Sequence, residues 1–312
     1  MTRIELNKVP ILITWDVDPD LWLPLEKRRW ALETAMNLCH DQAIPATFYI
    51  TAQPANIYQT QFKTLKAQQH EIGCHGWTHG TEENYDRMSS QKQRLYIKLA
   101  TEYLQAITGE TLRAFRSPRV KTSAITQNIL AEQGYLSDSS VCSQRADLIS
   151  SNLVNTDWLL APRRPYHPQT NHAFKAGDLP IWQVPISAMA LPFISSTMQV
   201  LGVAPMKRFF DLLYQEAKYT GKPIIYLAHP IEFVGRSGKN RKRSWKAQLK
   251  PQYFTPTYIR AHGIRLRNLL YRFTPVDFLG FTIELFAYMA SFPDVTFMTM
   301  TDYINKIDEK TI

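Results

Sequence analysis

Short apolar runs alternate with segments of helical periodicity along most of the chain. Residues 10–15 form a near-continuous apolar run that ends at Asp16, as expected of a parallel strand buried on both faces. Further strand-like runs lie at residues 46–51, 71–74, 114–116, 135–141, 181–186, 223–228 and 295–299. The spacing of apolar residues predicts helices over residues 25–40, 58–69, 89–107, 123–133, 206–218 and 255–271, with a helical turn over 302–307. This alternation predicts parallel strands, right-handed crossovers and an α/β fold.

The length of the chain is compatible with one domain. A chain of 312 residues exceeds the usual domain size, but an α/β barrel of about 250 residues is a single unit. We therefore expect one catalytic domain over residues 1–312. Within it we expect a basic insertion at residues 233–252 and a helical C-terminal region at residues 253–292.

Polar side chains suited to metal chemistry follow three of the predicted strands. Asp16 and Asp18 end the first strand, His75 and His79 follow the third, and His229 follows the run at residues 223–228. The carboxyl ends of barrel strands share one face, so these side chains should converge. One carboxylate and two neutral imidazoles can hold a divalent metal with open positions, and the other carboxylate and His can act as base and acid. The pattern predicts a hydrolase with one mononuclear metal site.

The two carboxylates also have a plain structural interpretation. An Asp after a strand often caps the next helix, but the predicted helix begins only near residue 25. On an extended backbone, residues two apart point to the same side, so Asp16 and Asp18 can reach one centre. Arg116, after a short strand, either forms a surface ion pair of little consequence or holds Asp16 through a bidentate contact.

The histidines are open to similar alternatives. His75 and His79 have the i, i+4 spacing of a helical zinc pair, and a single turn would put both imidazoles on one face. Chance pairs of this spacing are common, and the preceding Asp-x-Asp makes this pair more specific. His229 is either a packed core residue or a general acid, and its position at a strand end favours the acid.

Taken in order, these motifs resemble the polysaccharide deacetylase family, whose members share the nodulation deacetylase homology domain. The segments that carry the resemblance are Thr14-Trp15-Asp16-Val17-Asp18, His75-x-x-x-His79, Phe115-Arg116-Ser117-Pro118, Gly134-Tyr135-Leu136-Ser137-Asp138-Ser139-Ser140 and Leu227-Ala228-His229-Pro230. The resemblance implies a distorted (β/α) barrel of about seven strands. It also implies a single divalent metal, expected to be zinc.

The resemblance also assigns roles to individual residues. Asp18, His75 and His79 would be metal ligands and Asp16 the base. Arg116 would orient the base, His229 would protonate the departing amine, and Asp138 would pair with His229. We also expect Trp77 and Pro118, which lie within these motifs, to contact substrate.

Three positions depart from the family pattern. Val17 separates two aspartates that are adjacent in most relatives, which leaves the base and ligand roles exchangeable. Gly76 stands where Ser or Thr is usual, and Arg119 stands where many relatives have an aromatic or small residue. The chemistry is therefore better indicated than the substrate.

The expected activity is removal of an N-acetyl group from an amino sugar in a glycan or a lipid-linked saccharide. Relatives on the same fold suggest a deformylase or a cyclic-amide hydrolase as the alternative. A catalytically inactive binding module is a third possibility, although the intact acid, base and ligand candidates argue against it.

Charge and apolar patterning bear on partners. The formal net charge is +9, and basic residues concentrate at Arg236, Lys239, Arg241, Lys242, Arg243, Lys246 and Lys250. This run is either a solvated loop or a surface for anions, and no nucleic-acid-binding motif accompanies it. The aromatic-rich residues 271–292 fit a core helix, but beside the basic run they could also hold the protein at the anionic inner face of a membrane.

Cysteine usage and the N-terminus indicate a compartment. Cys39, Cys74 and Cys142 have no C-x-x-C spacing, which favours buried free thiols. Residues 1–10 lack the apolar core of a signal peptide, and no segment has the length of a spanning helix. We therefore expect a cytoplasmic protein.

Overall fold

A parallel sheet lies at the centre of the structure, a computed structural model that describes residues 8–145, 156–235 and 271–309. Its strands are β1 (Val9–Val17), β2 (Ala46–Ile50), β3 (Glu71–Cys74), β4 (Ala114–Phe115), β5 (Ser137–Asp138), β8 (Trp182–Gln183), β11 (Ile224–Ala228) and β12 (Val295–Phe297). The order across the sheet is β11-β1-β2-β3-β4-β5-β8, and β12 also pairs with β1. All of these pairings are parallel. The seven strands in this order form a curled half-barrel with helices around it, and β12 is an eighth strand beside β1. The predicted fold class is confirmed.

Two short antiparallel pairs lie outside this sheet. One joins β6 (Pro168–Gln169) to β7 (His172–Ala176), and the other joins β9 (Ala188–Met189) to β10 (Leu191–Pro192). Sequence periodicity did not predict either pair.

Most of the helices follow the predicted ones closely, but those at Thr156–Leu160 and Ser195–Leu201 were not predicted. They are α1 (Leu25–Asp41), α2 (Gln59–Ala67), α3 (Ser90–Thr108), α4 (Ala124–Glu132), α5 (Thr156–Leu160), α6 (Ser195–Leu201), α7 (Val203–Thr220), α8 (Pro275–Ala290) and α9 (Met300–Asp308). Local chemistry fixes several ends: Ser89 caps α3, Gly109 ends it in the left-handed conformation, and Ser123 forms a capping box with Thr126. The helix predicted over residues 255–271 lies outside the described residues, except for its last residue.

Both faces of the sheet are buried, which explains the continuous apolar run in β1. Ile11, Ile13 and Trp15 belong to a cluster that includes residues of α1, α7 and α8. Leu12 belongs to the opposite cluster, together with apolar residues of β11 and α9. A strand with an apolar layer on each side cannot show alternation.

The C-terminal aromatic segment packs as a core helix. Phe278, Leu285, Phe286 and Met289 of α8 are buried, so this interpretation is confirmed. No helix within the described parts of the chain is long and apolar enough to cross a membrane. The basic run at residues 236–250, on which the membrane hypothesis depended, lies outside the described residues. All three cysteines are buried and free, as predicted.

A buried histidine contacts the first residue of β2. His70 follows α2, and its Nδ1 accepts a hydrogen bond from the backbone N–H of Ala46 at 3.3 Å. Its ring lies against Phe48, with centroids 5.4 Å apart. Burial lowers the pKa of His70 from 6.5 to about 4.

This depressed pKa predicts loss of stability in mild acid. As the pH falls from 6.5 towards 4, the unfolded chain binds a proton at His70 that the folded chain resists, so the free energy of unfolding decreases. We expect this residue to contribute a loss on the order of 2 kcal/mol by pH 4. Urea unfolding followed by tryptophan fluorescence should show a flatter pH dependence for His70→Gln than for wild type. Substitution of the half-buried His172 by Gln is the control, and equal slopes in all three proteins would contradict the prediction.

Candidate metal centre

The register of the parallel strands brings the predicted site residues to one edge of the sheet. Trp15 is opposite Ala228, so Asp16 and His229 occupy neighbouring positions on β1 and after β11. Cys74 is opposite Phe115, so His75 and Arg116 follow side by side. Convergence at the strand ends is therefore a direct consequence of the pairing.

Three side chains offer donor atoms to a common centre. One donor atom each from Asp18, His75 and His79 lies within 4.8 Å of the other two. Oδ1 of Asp18 lies 3.3 Å from Nε2 of His79 and 3.6 Å from Nε2 of His75. Tetrahedral ligands at zinc bond lengths would be roughly 3.4 Å apart. This oxygen is buried and accepts no hydrogen bond from the described residues, so the three residues fit a divalent metal.

The tautomer of His75 is fixed by its neighbour. Its Nδ1 lies 2.8 Å from the carbonyl oxygen of Arg116. A carbonyl can only accept, so Nδ1 carries the proton and Nε2 keeps its lone pair for a ligand. The contact selects the tautomer of neutral His75 that a metal ligand needs.

Asp16 is held by a buried arginine. Nη1 of Arg116 donates to Oδ1 of Asp16 at 2.8 Å and to the hydroxyl of Thr14 at 2.9 Å. The other guanidinium nitrogens donate to Ser139, Nε to its carbonyl and Nη2 to its hydroxyl. The predicted contact between Arg116 and Asp16 exists, but it uses one nitrogen. The predicted bidentate contact was wrong, because the other two guanidinium nitrogens donate to Ser139.

Burial and neighbouring charges shift the pKa values of Asp18, His75 and His79. Burial alone would raise the pKa of Asp18, but His79 and His75 hold that pKa well below its ordinary value. Burial would lower the pKa of His75, and the carboxylates of Asp16 and Asp18 raise it instead. For His79 burial prevails, and its pKa is lowered.

The two histidines are joined by a loop, so the predicted helical turn was wrong. Gly76 has a φ of +76° and His79 a φ of +56°, both in the left-handed region. A side chain on Gly76 would meet Oε1 of Glu83 at 2.5 Å and Cγ of Pro118 at 2.9 Å. The i, i+4 spacing brings the imidazoles together through this looped path.

Asp138 is held by three uncharged hydrogen-bond donors. It is completely buried and accepts hydrogen bonds from Gln127, Gln183 and Ser140. Burial raises its pKa. These uncharged donors belong to α4, β8 and the end of β5, and the pair with His229 stays a prediction. A structural role at the base of the site fits these contacts.

The predicted substrate contacts lie beside the histidine loop. Trp77 is half-buried, and its ring meets Tyr103 edge to face at 5.7 Å. Pro118 is buried under Gly76. Contact of either residue with substrate stays a prediction.

Sequence reasoning missed Glu83. Its carboxylate is buried and accepts hydrogen bonds from backbone N–H groups of the histidine loop. Nothing in the local pattern distinguishes it from the exposed Glu82 beside it. The buried position becomes apparent only when the loop folds back on itself.

Comparison with known proteins agrees with this geometry. Residues 3–137 match the family model described as polysaccharide deacetylase. The resemblance to this family that the sequence motifs indicated is confirmed for this part of the chain. A peptidoglycan deacetylase of Helicobacter pylori (strain ATCC 700392 / 26695) is 26% identical over 98 residues, covering 31% of this chain and 32% of the relative. The match thus spans about a third of that relative's length.

Solved structures extend the likeness in fold to the whole chain. A structure described as a polysaccharide deacetylase from Mycobacterium smegmatis has a TM-score of 0.63 at 15% identity, covering 100% of this chain and 95% of that one. Another, from Pseudomonas aeruginosa PAO1, has a TM-score of 0.60 at 14% identity over 97% and 92%. Puue allantoinase has a TM-score of 0.59 at 14% identity over 96% and 90%. At these identities the likeness concerns the deacetylase barrel fold alone.

The triad of Asp18, His75 and His79 predicts metal binding that depends on His75. We expect one divalent metal per chain in the wild type and a large loss of bound metal in His75→Ala, because two ligands with open positions hold a metal weakly. Inductively coupled plasma mass spectrometry after dialysis measures this content. His40→Ala removes an exposed histidine and should keep full metal content. Full content in His75→Ala would mean that the site is elsewhere.

Proposed function

We propose that this protein is a metal-dependent hydrolase that removes an N-acyl group, with acetyl as the expected one, from an amino sugar. The observation that carries the proposal is the convergence of Asp18, His75 and His79 beside a carboxylate held by a buried arginine. The match of residues 3–137 to the polysaccharide deacetylase family model supports hydrolysis of an amide bond.

Asp18, His75 and His79 would hold the metal. We propose zinc, because two imidazoles and one carboxylate with an open position are a donor set that zinc takes in hydrolases. A divalent metal held there would polarise the acyl carbonyl and lower the pKa of the attacking water. The position of Asp18 Oδ1, close to both imidazoles, supports Asp18 as the ligand over Asp16.

Asp16 is the proposed base. Arg116 occupies its Oδ1, and its Oδ2 lies 3.8 Å from Nε2 of His75, on the side of the triad. Oδ2 is therefore placed to accept a proton from the attacking water. Because Arg116 is completely buried and held at several atoms, it fixes the direction from which Asp16 acts.

His229 is the proposed acid. It follows β11 at the same edge as Asp16, and its charge helps to lower the pKa of Asp18. From there it can donate a proton to the amine nitrogen as the carbon–nitrogen bond breaks. The water oxygen goes to the acyl carbon, so the products are a carboxylic acid and a free amine on the sugar.

The proposed substrate is a saccharide that contains an N-acetylated amino sugar. The Helicobacter pylori relative, described as a peptidoglycan deacetylase, supports this substrate class. The cytoplasmic location and the peripheral contact with an anionic membrane expected from the sequence stay predictions.

The role of Asp16 predicts a variant that keeps metal and loses turnover. Asp16→Asn removes the proton acceptor but leaves the triad, so we expect wild-type metal content and a rate lower by ~10²–10⁴-fold. Parallel metal analysis and steady-state kinetics check this, with the exposed Asp41→Asn as the control. Loss of metal together with activity would show that Asp16 and Asp18 have exchanged roles.

The substrate class predicts the product. With metal-loaded wild type, oligosaccharides of N-acetylated amino sugars should release acetate and free amine in equal amounts, and Asp16→Asn should release neither. N-formylated sugars and cyclic amides complete the panel. Turnover confined to those compounds would favour a deformylase or a cyclic-amide hydrolase. No turnover of any compound by fully metallated protein would favour an inactive binding module.

A further inference from the structure

The loop that carries His79 has a backbone conformation that needs support. Gly76 and His79 both have positive φ, and only the first is a glycine. A residue with a side chain in the left-handed region costs roughly 1–2 kcal/mol. Such a conformation persists only when surrounding contacts determine it.

Glu83 supplies such contacts from one side. Its Oε1 accepts hydrogen bonds from the backbone N–H of Trp77 at 2.7 Å and from the hydroxyl of Tyr85 at 2.8 Å. Its Oε2 accepts from the backbone N–H groups of Thr78 at 2.6 Å and His79 at 2.7 Å, and from the Thr78 hydroxyl at 2.9 Å. Four donors therefore point at a carboxylate with about four lone-pair sites, and the single proton of the Thr78 hydroxyl is shared between Glu83 and Glu82.

Arg119 supplies contacts from the other side. Its Nη2 donates to the carbonyl oxygens of His79 at 2.8 Å and Gly80 at 2.9 Å, and its Nη1 donates to the carbonyl of Glu83 at 3.2 Å. The backbone of His79 is therefore held at its N–H by a carboxylate and at its carbonyl by a guanidinium. Both peptide groups that flank the imidazole's Cα are fixed.

Neither side chain belongs to the triad. Glu83 is buried beneath the loop, and Arg119 is the middle residue of the short helical segment Pro118–Val120. Their shared target is the backbone of a proposed metal ligand. Partners of this kind typically change metal affinity by 10–100-fold when they are replaced.

We propose that Glu83 and Arg119 are positioning residues that fix the His79 loop in the conformation required for metal binding. The inference deepens the proposed function, because it rests on a metal at Asp18, His75 and His79. It assigns to Glu83 the role of holding three consecutive N–H groups, and to Arg119 that of holding the carbonyls that follow.

The test compares Glu83→Gln with Glu82→Gln. Both remove one negative charge and keep the size of the side chain, but only the first puts an amide NH₂ group among N–H donors. Glu82 is exposed and accepts from the Thr78 hydroxyl rather than from the N–H groups of residues 77–79, so it serves as the matched control. Zinc affinity is measured by competition with a chelator, and coordination by the visible absorption of the Co²⁺-substituted protein. We expect Glu83→Gln to bind zinc ~10–100-fold more weakly and to alter the Co²⁺ spectrum, and Glu82→Gln to match wild type.

Arg119→Lys is the second variant, and it decides the matter if Glu83→Gln does not fold. Lysine keeps the charge and can donate to the carbonyls of His79 and Gly80, but it lacks the second nitrogen that reaches the carbonyl of Glu83. We therefore expect a smaller loss of zinc affinity in the same direction. Far-ultraviolet circular dichroism confirms that each protein compared is folded. Wild-type zinc affinity and an unchanged Co²⁺ spectrum in the folded variants would overturn the proposal.

Failure of the metal site itself can be told apart from failure of this inference. If wild type binds neither zinc nor Co²⁺, the proposed function is wrong. Amide hydrogen exchange at residues 77–79 of the metal-free protein then tests the loop directly. Faster exchange in Glu83→Gln than in wild type supports the role of Glu83, and equal exchange overturns it.

Discussion

The guanidinium of Arg116 is completely buried, and the site is built around satisfying it. A buried charge is costly unless it is paired and hydrogen-bonded. Asp16 provides the opposite charge, Ser139 accepts two further hydrogen bonds, and the ring of Tyr49 lies 4.3 Å from the guanidinium carbon. Removing one partner of such a pair typically costs about 3–5 kcal/mol. The carbonyl of the same residue accepts a hydrogen bond from Nδ1–H of His75, so one arginine orients both the proposed base and a proposed ligand.

This arrangement depends on parallel pairing. β1, β3 and β4 end at the same edge, and their register places Asp16, His75 and Arg116 within reach of one another. Both faces of β1 are covered by apolar side chains, which leaves the strand end as the place where polar groups can gather without disrupting the core. A shift of one residue in β1 would turn Asp16 into the apolar layer.

Much of the fold and most of the site could be predicted from the sequence, because both depend on local patterns. The helices at Leu25–Asp41 and Ser90–Thr108 have clear periodicity, and the triad residues belong to short motifs at strand ends. What could not be predicted depends on tertiary contacts. The single-nitrogen contact of Arg116 arises because Ser139 takes its other nitrogens, and Asp138 is held by side chains from three separate elements. Glu83 resembles Glu82 in sequence and differs only in what folds around it.

Two departures from the family pattern are physically linked through Glu83. The hydroxyl residue usual at position 76 would place its Cβ 2.5 Å from Oε1 of Glu83, so glycine is required where this carboxylate lies. Arg119, the other departure, donates to the carbonyl of Glu83 and to those of His79 and Gly80. A hydroxyl at position 76 has one proton to donate, whereas the carboxylate of Glu83 accepts from three backbone N–H groups and from Tyr85. The substitutions at positions 76 and 119 are therefore consistent with one alternative solution to the same requirement, a rigid loop behind the second histidine.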